Sequence, residues 1–221
     1  MRPKEFVGTL KKLKFENVFN PYADRCAVHD LDDAPSLRAT ALLNLLEAAT
    51  ATEVDALWIG RDLGHRGGRR TGLALTDDVH ISTHGTRWNV SIGRATTGSM
   101  VAERTAAIIW SILALVSSPV FLWNVFPLHP HEPDDPFTNR SHSPRERAAG
   151  EALLAELIAM LKPRRLVAIG NNAAKSADRL ATITEVVQVR HPSYGGQSEF
   201  IQQMRCLYDL KGDSKQSRRA N

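Results

Sequence analysis

Four short apolar runs, separated by segments of helical composition, constrain this 221-residue chain more than any other feature. They fall at 55–59, 120–125, 166–169 and 186–189, each too short to read as a buried helix. Helix-like segments at 100–116, 143–161 and 172–180 lie between them, with others at 36–51 and 198–210. A parallel crossover needs a connection of about that length, so strands alternating with helices predict one parallel sheet covered on both sides. The expected fold class is α/β, with a central four-stranded parallel sheet flanked by helices on both faces. Ser143-Pro144-Arg145-Glu146 gives a strong helix start: a serine to cap, a proline for the first turn and a glutamate to close the capping box. The glycine- and arginine-rich stretch 60–72 reads as a loop, and 87–92 as a further short strand. Pro127, Pro130, Pro133 and Pro136 predict a rigid, non-helical loop.

No internal repeat or low-complexity linker divides the chain, so residues 1–210 are expected to form one domain followed by a basic tail at 211–221. The longest apolar stretch, 106–116, is interrupted by Ser111 and is too short for a bilayer, so no membrane partner is expected. The first residues lack an export signal, which predicts a cytoplasmic location. Two cysteines, Cys26 and Cys206, cannot alone make a four-cysteine metal site. The His129–Asp135 loop mixes histidines and acids, but its alternate prolines argue against a chelating geometry, so no metal or other cofactor is expected. The 28 Lys and Arg against 24 Asp and Glu are unevenly spread, with cations gathered at Lys11–Lys14, Arg66–Arg70 and Lys211–Arg219. Clustered cations suit a polyanion partner.

In an open α/β sheet the carboxyl ends of the strands meet at one rim, and ligands bind there. Three of the runs end in chemistry: Asp62 after the first, Asn124 in the second and His191 after the fourth. Breaking the bond between deoxyribose and a base builds positive charge on the sugar and negative charge on the base. A carboxylate serves the first, and a hydrogen-bond donor serves the second. A third group has to read the edge of a base that has left the stack. Asp62, His191 and Asn124 supply one group for each task.

Gly60-Arg61-Asp62-Leu63-Gly64, Trp123-Asn124 and His191-Pro192-Ser193 occur in the order and spacing of the uracil-DNA glycosylase superfamily, which this sequence resembles over roughly residues 53–205. The resemblance implies that Asp62 orients water or stabilises the sugar cation, and that His191 donates to uracil O2. It implies that Asn124 pairs with O4 and N3–H, with Gly60, Gly64 and Leu75 also at the base. If the register follows the glutamate branch of the family, Arg61 stands at the acid position and catalysis rests more on His191. Gly64 replaces the tyrosine that blocks the thymine methyl in the aspartate branch. Leu75 falls where a phenylalanine would stack, leaving an apolar platform, with Phe126 and Trp88 as other candidates. Arg66, Arg69 and Arg70 are expected at phosphates, together with Ser193, Tyr194, Gly195 and Gln197 in the loop that enters the minor groove. Either Tyr194 or Gln197 is the wedge. His65 is a spare group near the sugar, and Asn139-Arg140 stays open between DNA contact and leading into the Ser143 cap.

The expected function is a monomeric, monofunctional glycosylase releasing uracil from DNA. No lysine is placed for Schiff-base chemistry, so no strand cleavage is expected. Release of another deaminated base such as hypoxanthine or xanthine, or damaged-base binding without catalysis, are the alternatives. A nucleotide-binding module is disfavoured, because no glycine-rich phosphate loop follows the first strand.

Overall fold

The computed structural model describes residues 1–181 and 184–210; the expected basic tail at 211–221 lies outside the described residues. In chain order the elements are α1 (Pro3–Lys12), β1 (Val18–Phe19), α2 (Ala34–Thr50), β2 (Ala56–Asp62), α3 (Gly68–Thr71), α4 (Ile81–Arg87) and α5 (Arg104–Leu113). They continue with β3 (Val120–Phe126), β4 (His129–Pro130), α6 (Pro144–Leu161), β5 (Arg165–Ile169), α7 (Asn171–Leu180), β6 (Glu185–Val189) and α8 (Gln197–Leu207).

The sheet has the order β3-β2-β5-β6 with every pair parallel, as the alternating pattern predicts. Side chains alternate across it. Leu57, Ile59, Phe121, Trp123, Leu166 and Ala168 pack into one core with residues of α1, α2, α6 and α7. Ala56, Trp58, Val120, Leu122, Val167 and Ile169 pack into the other with α5 and α8. By the same alternation Gly60, Asp62 and Asn124 belong to the α5–α8 side. β3 is an edge strand, yet all seven of its residues are buried. α6 closes over it at Gly150, where an added Cβ would lie 2.2 Å from the Val125 carbonyl oxygen. The predicted cap of α6 is present: Ser143 Oγ accepts from Glu146 N, and the Glu146 carboxylate accepts from Ser143 N.

From β2 the chain moves outward to β3 and then crosses back past β2 to β5. That reversal places a crevice beyond the carboxyl ends of β2 and β5.

Two local expectations fail. The stretch 60–72 is not all loop, because β2 continues through Asp62 and α3 follows. No strand forms at 87–92, since α4 ends at Arg87 and the chain folds back on it. Arg87 donates to the carbonyls of Leu113, Val116 and Ser118, and the Val90 carbonyl oxygen lies where a Cβ on Gly85 would come within 2.3 Å. The proline-rich loop contains β4, which pairs antiparallel with β1.

Burial holds His84 and His129 neutral, pushing each imidazole down to about 3. The unfolded chain therefore binds more protons than the folded one between about pH 6.5 and the depressed value. Stability contributed by these histidines is complete above about pH 6.5 and falls with acidification, by on the order of 1 kcal/mol per pH unit for each. Thermal melts are expected to show Tm dropping from about pH 7 to about pH 5, with a shallower fall in His84→Gln. A Tm independent of pH over that range would contradict the assignment.

Candidate active site

The crevice at the switch point is a cavity of about 510 Å³. Arg61, Asp62 and Gly64 form one wall, Gly170 and Asn171 the β5 side, and Arg190, His191, Ser193 and Tyr194 the β6 side. Leu75, Glu103, Thr105 and Asn139 complete it. Two of the three strand-end groups, Asp62 and His191, thus line one space.

Asn124 lies next to that space. It is paired in register with Gly60, and a Cβ on Gly60 would fall 2.4 Å from Asn124 Oδ1 and 3.0 Å from Leu75 Cδ2. Glycine at 60 is therefore what lets the amide occupy its place. Leu75 reaches the cavity wall, while the Asn124 side chain stays behind it, 1% exposed. Neither Asn124 Nδ2 nor Oδ1 has a hydrogen-bond partner among the described residues. The amide therefore makes no hydrogen bond within the described protein and has both its donor and acceptor available to a ligand or water. Leu75 has a left-handed backbone (φ 55°), and its carbonyl accepts from Trp110 Nε1 at 3.0 Å. Gly60→Ala is expected to leave the fold intact, since both clashing neighbours are side-chain ends. It should lower base release about a hundredfold by displacing the amide. Single-turnover assays check this, and unchanged release would remove Gly60 from the site.

Asp62 is held from two sides. Arg61 Nε donates to Oδ2 at 2.6 Å, and His142 Nδ1 is hydrogen-bonded to Oδ1. The carboxylate direction is fixed while each oxygen keeps a further lone pair. Arg61 and Asp62 sit side by side here, so the arginine at the alternative acid position serves as partner to the acid. His142, one residue before the α6 cap, carries no strand-end signal, and sequence reasoning missed it.

His191 Nδ1 accepts from Ser193 N at 3.1 Å, so in the neutral ring the proton sits on Nε2. Burial lowers the imidazole below its ordinary value, and Arg61 and Arg190 push the same way. The ring is thus a neutral donor. Gly170, in a left-handed conformation, backs it: a Cβ there would lie 3.1 Å from His191 Cβ. Thr105 Oγ1 meets Ser193 Oγ at 3.2 Å, tying the start of α5 to the His-Pro-Ser turn.

The cation assignments need correction. Arg69 and Arg70 are 3% and 6% exposed, too buried to meet phosphate. Arg70 Nε pairs with Asp78 at 2.8 Å. Arg69 lies over the Phe19 ring at 3.8 Å and contacts His129 Nδ1 at 3.1 Å. These arginines hold the loop rather than project from it. Arg66 is exposed, and Arg61 and Arg190 border the cavity, so the accessible cations at the rim only partly match those expected.

Phe126 and Trp88 are also removed as stacking partners, because both are core residues, against Phe15 and Phe121. Gln197 begins α8 and is half-buried, whereas Tyr194 is 99% exposed on a left-handed turn with Gly195. Beside Gly64 the wall is open: the nearest atom to an added Cβ is Asn139 Oδ1 at 3.9 Å. Asn139 accepts from His65 N and borders the cavity, and Arg140 pairs with Glu146 of the α6 cap. Among the described residues no cluster of metal-ligating side chains occurs, and no helix is long and apolar enough to cross a membrane.

A crevice at the turning point of a parallel sheet, lined by a fixed carboxylate and a neutral imidazole with a buried amide beside it, gives this α/β protein a candidate active site at the carboxyl ends of its strands. The family described as the uracil DNA glycosylase superfamily matches residues 49–208, and the chain belongs to it. That membership supports a DNA glycosylase. The crystal structure of wild-type Pedobacter heparinus SMUG2 has the same fold, with a TM-score of 0.62 over 95% of this chain and 98% of that one at 13% identity. No curated protein matches.

Proposed function

We propose that this protein hydrolyses the N-glycosidic bond of uracil in DNA, acting as a monomer without cutting the strand. The observation that carries the reading is the buried Asn124 amide, unpartnered beside the crevice that holds Asp62 and His191. An amide offers one donor and one acceptor edge, the complement of uracil O4 and N3–H. Cytosine presents the inverse donor–acceptor pattern.

In this reading the flipped base enters past Leu75, which gives an apolar platform. His191 Nε2–H meets the oxygen on which charge grows as the bond breaks. Asp62, held by Arg61 and His142, faces the sugar and either stabilises its developing cation or directs water to it. Tyr194 is the side chain free to enter the space the base vacates. Arg61, Arg66 and Arg190, with Ser193 and Gly195, face the backbone. No step calls on a lysine nucleophile, so the product is an intact strand with an abasic site.

The test is free-base release from single- and double-stranded DNA carrying uracil, with hypoxanthine and xanthine substrates alongside. Uracil release leaving an un-nicked strand supports the proposal. Binding without released base would favour a non-catalytic damage reader, and release of purines alone would favour the second reading. The open wall at Gly64 is the observation behind that second reading, since it leaves room for a larger base.

A further inference from the structure

We propose that His142 is a positioning residue, which holds the Asp62 carboxylate toward the sugar from behind through a proton kept on its Nδ1. This role rests on the glycosylase reading above, in which Asp62 faces the deoxyribose.

Asp62 borders the cavity, whereas His142 stands behind it, outside the lining. His142 Nδ1 is hydrogen-bonded to Asp62 Oδ1, and Arg61 Nε donates to Oδ2 at 2.6 Å. The side chains of His142 and Asp62 are 9% and 5% exposed, but that of Arg61 is 39% exposed. Water or a phosphate can compete for the arginine, while the bond to His142 is out of their reach. His142 is thus the donor that stays on the acid when DNA arrives.

An ionised carboxylate only accepts hydrogen bonds, so Nδ1 of His142 carries the proton whether the ring is neutral or charged. His191 is held the other way round, because its Nδ1 accepts from Ser193 N. Two imidazoles near one rim therefore have different tasks. His191 turns its proton on Nε2 to the base, and His142 turns the proton on Nδ1 to the acid.

The His142 ring has little freedom to move away. It packs T-shaped against Phe126 with ring centroids 6.2 Å apart, and Phe126 is the register partner of Asp62 across β2 and β3. The backbone is pinned on either side. Ser143 closes the α6 cap with Glu146, and Arg140 donates to that carboxylate and to the carbonyls of His131 and Asn17. One donor is so fixed at one carboxylate oxygen. Such support matters, since a displacement of about 1 Å at a reacting group can cost roughly a hundredfold in rate.

The experiment compares His142→Phe, which keeps a ring against Phe126 without the donor, with His142→Asn, whose Nδ2 stands where Nδ1 stood. Single-turnover base release from a uracil duplex gives the rate constant of the chemical step. Fluorescence anisotropy gives the affinity for a duplex whose uracil nucleotide is fluorinated on the sugar and resists hydrolysis. His142→Phe is expected to lose about tenfold to a hundredfold in rate while binding within about threefold of wild type. His142→Asn should recover most of the rate, and His142→Ala reads the same loss if phenylalanine disturbs the fold. Imidazole nitrogen NMR at about pH 8, where an unpaired histidine is neutral, should show His142 protonated at Nδ1. In Asp62→Ala that proton should move to Nε2.

A wild-type rate in both His142→Phe and His142→Ala overturns the inference, as does a loss of affinity equal to the loss of rate. No recovery in His142→Asn, a bare Nδ1 in wild type, or a ring unaltered by Asp62→Ala overturns it too. Base release by wild type with a full rate in the variants sinks only this inference. A ring protonated at Nδ1 in a protein that releases no base sinks the glycosylase reading and leaves the pairing of His142 with Asp62 standing.

Discussion

Asn124→Asp is expected to cut uracil release about a thousandfold, because a site built to hydrogen-bond a substrate loses most when its polar edge is mismatched. In the proposed reading the wild-type amide meets O4 with a donor and N3–H with an acceptor. A carboxylate offers acceptors alone, so its second oxygen faces the lone pairs of O4. It would also place a charge where the native side chain is 1% exposed, next to Leu75. Single-turnover release from a uracil duplex reads the loss, and circular dichroism checks that the overall secondary structure is retained. Release within about tenfold of wild type would remove Asn124 as the base reader.

His191→Ala is expected to lower the rate constant of the chemical step by roughly a hundred- to a thousandfold, the range for losing one donor at a developing oxyanion. Affinity for the uncleaved duplex should change far less, because the donor matters most where the charge develops. The pH profile carries a sign. Burial, Arg61 and Arg190 all hold the His191 imidazole below its ordinary value, so the neutral donor persists when pH falls through about 6.5. Activity should not collapse at the ordinary histidine titration. A loss of affinity matching the loss of rate would make His191 a binding group instead.

The architecture was legible because it rests on periodicity. The four apolar runs became β2, β3, β5 and β6 within a few residues, and the capping box at Ser143 starts α6 where expected. Strand ends were legible for the same reason: a run that stops abruptly in Asp, Asn or His-Pro-Ser tells which rim those residues meet. Burial of charge was not legible. Arg69 and Arg70 read as phosphate contacts, yet Phe19, His129 and Asp78 enclose them, and of these Phe19 and His129 come from distant segments. The hydrogen bond from His142 to Asp62 spans 80 residues, and the link between Thr105 and Ser193 spans 88. No local pattern encodes such pairs, because they arise only when loops on separate strands converge.

The lone amide behind Leu75 gives this protein a built-in conflict between robustness and discrimination. Leaving a buried polar group without a partner costs about 1–3 kcal/mol. An apolar residue of similar shape at position 124 would remove that cost and, in the reading proposed here, the base reader with it. In the reading proposed here, a base that pairs with the amide supplies the missing partner on arrival. On that reading, selectivity is stored as mild instability of the fold.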